Sequence, residues 1–372
     1  MNMNRFAGFF LFLFFVFGLK AQPSSSWPNS RGNAQMQGVA PISFPQKVKL
    51  KWTFDADGMF KSAPVISDGK IVVGSTSGEL ICLDMNGKLL WKFKTENAFE
   101  APALIQNGIV YAGNLSGILY AIDLKTGAKK WEYKTENQIM GAPAYAEVAE
   151  KKIIAIGSYD FFLHGVDAIT GKGLWKYESD NYLNSSPAIY NGKAVFGGCD
   201  GFLHQVNLKD GKADSKTQVA TYIASSPAIE GSKAYVGDYD GSFSCIDLAN
   251  KKVVWKYENK ESTQPFIASA SIIGDRVIIG SRDKFLYCFD KTKGDIRWKV
   301  NTGNRVEAST VVNKMQVLAV NMRGDVMVLD IKTGKKIWTY ELGVGVMNTP
   351  AVVEGAIVLA GSDGNVYMLA NP

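Results

Sequence analysis

From residue 47 to the C-terminus, apolar residues come in short runs rich in Val, Ile, Tyr and Phe, separated by turn dipeptides. Ser62-Ala63-Pro64 opens one such unit, a first run leads to the turn Asp68-Gly69, and Ile71-Val72-Val73-Gly74 follows. A second turn leads to a third run that ends in Asp, as in Ile118 to Asp123, Phe162 to Asp167 and Phe285 to Asp290. A third turn, such as Thr126-Gly127, Thr170-Gly171 or Thr333-Gly334, leads to a fourth run carrying a Trp. β-Branched and aromatic runs between Asn-Gly, Asp-Gly and Thr-Gly pairs predict strands joined by hairpins. No segment sustains a 3.6-residue period, so helices are not expected.

The unit recurs. Trp52, Trp91, Trp131, Trp175, Trp255, Trp298 and Trp338 stand 39, 40, 44, 80, 43 and 40 residues apart. The double interval has its midpoint at Ser215, which ends Asp210–Ser215 as Trp175 ends Thr170–Trp175. A fixed period of about 40 residues marks a repeat architecture. Small-residue openers occur eight times, near Ser62, Ala101, Ala142, Ser185, Ser225, Ala268, Ala308 and Asn348. The last unit stops at Pro372 without a Trp strand, and the Trp strand Leu50–Phe54 has no unit before it. Pairing these two closes the array. The expected fold is all-β: an eight-bladed β-propeller of four-stranded antiparallel blades, closed by the N-terminal strand completing the last blade. Blades diverge outward, so an indole is suited to fill the wide gap at the outer strand, and crowding at the axis explains the small openers.

Two neighbouring columns suggest where such a molecule would bind. Two residues before each opener stand Phe60, Phe99, Met140, Leu183, Ile223, Phe266, Val306 and Val346, an apolar column suited to packing between blades. The next column varies freely: Lys61, Glu100, Gly141, Asn184, Ala224, Ile267, Glu307 and Met347. If the first faces inward, the second faces the mouth of the central channel. Lys61, Glu100, Asn184, Glu307 and Met347 are therefore the candidate binding ring.

Composition narrows the class further. With 46% hydrophobic and 12% aromatic residues the chain is not a disordered polymer. Four Cys are too few for a disulfide scaffold, and two His leave little for a His-rich metal centre. At the N-terminus Arg5 precedes an uncharged run from Phe6 to Leu19, and Leu19-Lys20-Ala21 ends it, the layout of a secretory signal cleaved after Ala21. As a helix that run would be about 21 Å long, short of the ~30 Å hydrocarbon core. The expected organisation is a signal peptide at 1–21, a leading segment at 22–46 and one propeller at 47–372, with no transmembrane anchor after signal removal. Cys82 is the first cysteine, so no lipid-acceptor Cys follows the cleavage site and a lipoprotein is not expected. Loss of Arg5 and Lys20 lowers the formal net charge from +6 by two, to +4, with Lys and Glu interspersed, which does not describe a nucleic-acid-binding stripe. An exported monomer, periplasmic, envelope-associated or secreted, is the expectation.

The segment Ala121-Ile122-Asp123-Leu124-Lys125-Thr126-Gly127-Ala128-Lys129-Lys130-Trp131 resembles the tryptophan-docking repeat of the pyrroloquinoline-quinone-type (PQQ-like) propellers. Asp167–Trp175 and Asp330–Trp338 match it equally, and Trp27-Pro28-Asn29-Ser30-Arg31-Gly32-Asn33 is similar to the segment that precedes such propellers. One fold hosts many functions, and two branches of this family have different implications. Quinoprotein dehydrogenases are enzymes with PQQ on the axis over Ca²⁺; they are longer, and many carry a vicinal Cys pair that is absent here. The BamB-like branch, similar in length, implies a non-catalytic protein-binding scaffold of outer-membrane protein assembly, with no cofactor and with protein partners in the envelope. The latter is the expected class; a quinone- and Ca-dependent oxidoreductase, or a propeller binding envelope polysaccharide through Tyr159, Phe161 and Tyr239, is the alternative.

Other candidate chemistry reduces to structure. His164 and His204 share a column with Ile81, Tyr120, Ser244, Tyr287, Met327 and Tyr367, as expected for packing rather than metal ligation. Cys82, Cys245 and Cys288 share a column with Ala121 and Gly165 and read as small buried strand residues, too far apart to bridge. Arg323-Gly324-Asp325 falls on a hairpin turn, and the Asp-x-Asp-Gly stretches at Asp55–Gly58 and Asp238–Gly241 lack the remaining ligands of a calcium loop.

Overall fold

The computed structural model describes residues 26–223 and 225–372, so the expected signal peptide and Ala224 lie outside the described residues. Each repeat forms one four-stranded antiparallel blade whose strands follow in order from the axis outward. Blade 1 comprises Val65–Ser67, Lys70–Gly74, Glu79–Asp84 and Leu89–Lys94. Blades 2 to 7 repeat this over residues 104–134, 144–178, 188–218, 228–258, 271–301 and 311–341. Blade 8 takes its three inner strands, Ala351–Val353, Ala356–Ala360 and Asn365–Ala370, from the C-terminus and its outer strand, Lys49–Asp55, from the other end of the chain. Trp52 pairs with Met368 and Phe54 with Val366 across that seam. The molecule is an eight-bladed β-propeller, with no helix among the described residues.

The core lies in layers between adjacent blades rather than at one centre. Val72 and Cys82 of blade 1, for instance, pack with Phe99, Ala112 and Tyr120 of blade 2. The glycine that ends a second strand has its reason here. A Cβ on Gly74 would stand 2.5 Å from the Cβ of Phe99, and one on Gly113 only 2.3 Å from the Ile139 side chain. The latter contact corrects the expected apolar column. In blade 3 its member is the fully buried Ile139, and Met140, partly exposed, stands one place nearer the mouth. The slip has a local cause: blade 3 opens on Gly141-Ala142, one residue earlier than the Ala142-Pro143 pair suggested.

The outer strands carry a shared irregularity. In seven blades the pairing register shifts at the outer-strand residue just before the Trp or its equivalent, as between Cys82/Leu83 beside Trp91 and Gln205/Val206 beside Ser215. Blade 8 shifts between Leu50 and Trp52. A bulge of this kind re-aims the side chain next to it. The seven indoles each donate Nε1–H to a backbone carbonyl in the following repeat, at 2.8–3.2 Å: Trp52 to Met85, Trp91 to Leu124, Trp131 to Ala168, Trp175 to Leu208, Trp255 to Lys291, Trp298 to Ile331 and Trp338 to Pro45. Six of them lie against the glycine of the next third turn, so closely that a Cβ on Gly127 would meet the Trp91 ring at 2.8 Å. The tryptophans are thus directional links as well as filler.

Candidate functional site: the axial channel and its mouth

The leading segment closes one end of the axis. Its backbone accepts N–H bonds from the second residue of the inner strand in five blades: Ile66 to Trp27, Ile105 to Pro28, Ile189 to Ala34, Ile229 to Gln35 and Ile272 to Gln37. In blade 7 Val312 donates to Gly38 and Ala40 donates back to Val312. Arg31 is 1% exposed on this floor. Its Nη1 donates to Thr310 O at 2.7 Å, and its Nη2 to Ala270 O at 2.6 Å and Ser271 Oγ at 3.0 Å. Burial pulls the guanidinium down to about 9, which leaves it charged at neutral pH.

Above the floor is a cavity of about 170 Å³, lined by Ser30, Arg31 and Met36 below and by the inner-strand openers at its sides. The openers contribute Ser186, Ser226, Ser269, Ser309 and Thr349 from blades 4 to 8, whereas Ala63 and Pro102 take that place in blades 1 and 2. A backbone relay joins the serines. Ala142 N donates to Ser186 Oγ, Ser186 N to Ser226 Oγ, Ser226 N to Ser269 Oγ and Ser269 N to Ser309 Oγ, at 2.9–3.1 Å.

The candidate ring divides at the mouth. Lys61, Glu307 and Met347 line the cavity. Glu100 joins them through Lys61 Nζ at 2.7 Å, and Glu307 is held by Arg282 Nε at 2.8 Å. Asn184, in blade 4, is half-buried and does not line the cavity, and its Oδ1 is without a hydrogen-bond partner. The ring column therefore contains a mixed rim, while sequence reasoning passed over the floor and the hydroxyl arc. The arc was readable, because the opener serines recur in register; Arg31 occurs once and carries no periodic signal.

Around the same mouth, the loops of blades 3 to 5 expose aromatic rings. Phe161 is 38%, Tyr182 41%, Tyr222 45% and Tyr239 45% exposed. Tyr159 stacks on Tyr182 with centroids 4.8 Å apart, and Phe161 adjoins the same ring at 5.0 Å. Tyr239 N donates to Tyr222 O, which ties the patch to the next loop.

The histidines are buried links rather than free imidazoles. His164 Nε2 meets Asp160 at 3.0 Å and its Nδ1 meets Tyr133 Oη, from the preceding blade, at 3.0 Å. His204 repeats this with Asp200 and Tyr177. In the same column Tyr287 donates to Asp283 and Tyr367 to Asp363. Burial opposes ionisation of Asp160, but His164 and the N–H groups of Glu136 and Phe162 prevail and hold the carboxyl at about 2. A column read from sequence as packing is in these blades a polar lock on the second turn. Among the described residues no group of three or more His, Cys, Asp or Glu is placed to hold a metal ion. At the mouth the carboxylates of Glu100 and Glu307 are each committed to a cation. That donor set does not fit a calcium-borne quinone on the axis.

All four cysteines are free thiols, with Cys82, Cys245 and Cys288 buried. They face the outer strand directly opposite Trp91, Trp255 and Trp298. Burial pushes these thiols up to about 12, 11 and 12, which makes them inert nucleophiles. Arg323-Gly324-Asp325 is a hairpin turn whose Arg323 is bonded to its own Asp325. Asp238 caps a turn by accepting from the N–H groups of Asp240 and Ser242.

Closed blades, docked tryptophans and Asp-x-x-Thr-Gly turns define a PQQ-like repeat propeller. A family model described as outer membrane protein assembly factor BamB matches residues 47–182, 165–300 and 282–371, and the chain belongs to that family. Among solved structures, BamB from Moraxella catarrhalis superposes with a TM-score of 0.74 at 18% identity, covering 87% of this chain and 98% of that one. A europium-containing methanol dehydrogenase superposes with a TM-score of 0.76 at 12% identity, covering 93% and 98%. Both likenesses concern the fold. The human beta-alanine-activating enzyme is 32% identical over 101 residues, 25% of this chain, and the match spans only 9% of that protein's length.

Proposed function

We propose that this protein is an exported, non-catalytic scaffold of the cell envelope that binds a protein partner in outer-membrane protein assembly. The observation that carries the reading is the exposed aromatic patch of Phe161, Tyr182, Tyr222 and Tyr239 beside the channel mouth. Exposed rings on a rigid scaffold suit a protein interface, where Tyr and Phe supply much contact area at small entropic cost. The family description supports the setting.

Crosslinking pull-down from the native envelope tests the proposal. Wild-type protein is expected to capture a protein partner that Phe161→Ser/Tyr182→Ser/Tyr239→Ser loses, with the fold checked by circular dichroism. Undiminished capture by the triple variant overturns the role of the patch. Patch-dependent retention of polysaccharide instead of protein overturns the scaffold reading. The solved dehydrogenase structure motivates a parallel incubation with PQQ and Ca²⁺, in which a stably bound chromophore would favour the oxidoreductase.

A further inference from the structure

The channel floor holds a charge with no counter-charge. Arg31 is buried, its three bonds run to two carbonyls and one hydroxyl, and its Nε has no partner. No carboxylate forms an ion pair with it among the described residues, and the nearest rim acids are engaged, Glu100 with Lys61 and Glu307 with Arg282. An isolated buried cation costs several kcal/mol, and proteins ordinarily pair it.

The walls supply matching chemistry. Each of Ser186, Ser226, Ser269 and Ser309 uses its oxygen to accept a neighbour's backbone N–H. A hydroxyl that already accepts has its hydrogen left to give. These four lie on consecutive blades and line the cavity that Arg31 floors, so their hydrogens converge on one space. The acceptors there are at the rim: the Oδ1 of Asn348, without a partner, and the carboxylate of Glu307, which Arg282 neutralises. Convergent O–H donors over a guanidinium favour an acceptor-only ligand, because charge-assisted bonds to an oxyanion are about twice as strong as neutral ones. The volume of about 170 Å³ admits a small ion and excludes a large ligand.

We propose that the channel floor is a binding site for a small oxyanion of the phosphate or sulfate class, held by Arg31 and the hydroxyl arc Ser186, Ser226, Ser269 and Ser309. The site lies within the axis and does not depend on what docks on the aromatic patch. Its selectivity follows from geometry: the arc covers blades 4 to 7 and is interrupted by Ala63 and Pro102, so the ion is gripped from one side and from below.

The test is calorimetric titration of the full mature chain with inorganic phosphate and with sodium sulfate, against sodium chloride at matched ionic strength. One-to-one saturable binding of phosphate or sulfate, with a Kd below about 1 mM, is expected. Ser226→Ala/Ser269→Ala should weaken it about tenfold or more, and Arg31→Met should weaken it further. Arg31→Met also removes three bonds to blades 6 and 7 and risks the fold, so the serine pair, with circular dichroism matching wild type, is the deciding variant. Failure of both anions to saturate, or an unchanged Kd in the folded serine pair, overturns the proposal.

Discussion

At the scale of single residues, the informative side chains are those whose partner is not in their own strand. Asp160 and Asp200 tie the second turns of blades 3 and 4 to His164 and His204, and those imidazoles reach back to Tyr133 and Tyr177 of the preceding blades. Both carboxyls ionise below the ordinary range: burial works against this, and the histidine contact and backbone N–H groups outweigh it. A lowered acid stabilises the fold above its unfolded pKa and loses that contribution as pH falls through the folded value. For Asp160 the window runs from about pH 4 down to about 2. Asp160→Asn should therefore be less stable than wild type at pH 6, and the gap should close as pH falls through that window, read from urea unfolding at each pH. Little of this was legible in the sequence. A His column mixed with Ile81, Ser244 and Met327 looks like packing, and only the position four residues earlier, Asp in five blades, holds the clue. Arg31 was less legible still, because repeat comparison is blind to a residue that occurs once.

The blade is the element, and its variation is as instructive as its constancy. In five blades the residue opposite the outer-strand Trp is small, Cys82, Ala121, Gly165, Cys245 or Cys288, which leaves room for the ring, while Val328 and Met368 face Trp338 and Trp52. At Gly165 a Cβ would lie 2.1 Å from the Trp175 ring. Blade 4 exchanges both partners: Ser215 replaces the indole and the fully buried Gln205 replaces the small residue. Gln205 Nε2 then donates to Leu248 O at 2.9 Å, the carbonyl an indole would have taken, and to Ser215 Oγ at 2.8 Å. The sequence showed the missing Trp but not its replacement, since the two residues lie ten positions apart on different strands. Ser215→Trp alone should destabilise by about 1–3 kcal/mol through overpacking. Adding Gln205→Ala should recover most of that loss, a coupling measured by a double-mutant cycle of chemical unfolding. Independent, additive effects would show that the two positions do not share one space.

For the whole molecule, closure was the most legible property, because an outer strand without a blade and a blade without an outer strand can be counted in the sequence. The slip at Met140 shows the limit of such counting: register within a repeat depends on one residue where the opener is only Gly and Ala. Less expected was the second closure, in which residues 27–40 bond to the inner strands of six blades. Removing residues 22–46 should keep the β-sheet signal while lowering the melting temperature by roughly 10 °C, as several inner-strand N–H groups lose their acceptors; an unchanged melting curve would show that the floor is dispensable. Both closures also set an order in time. Arg31 must wait for Thr310, 279 residues later, and the Pro45 carbonyl for Trp338, 293 residues later. Contacts so distant along the chain form slowly, since the loop must close before they contribute. Residues made before the blades are thus among the last to find their places, and the nascent chain stays an open, threadable array until the last blade described has been synthesised.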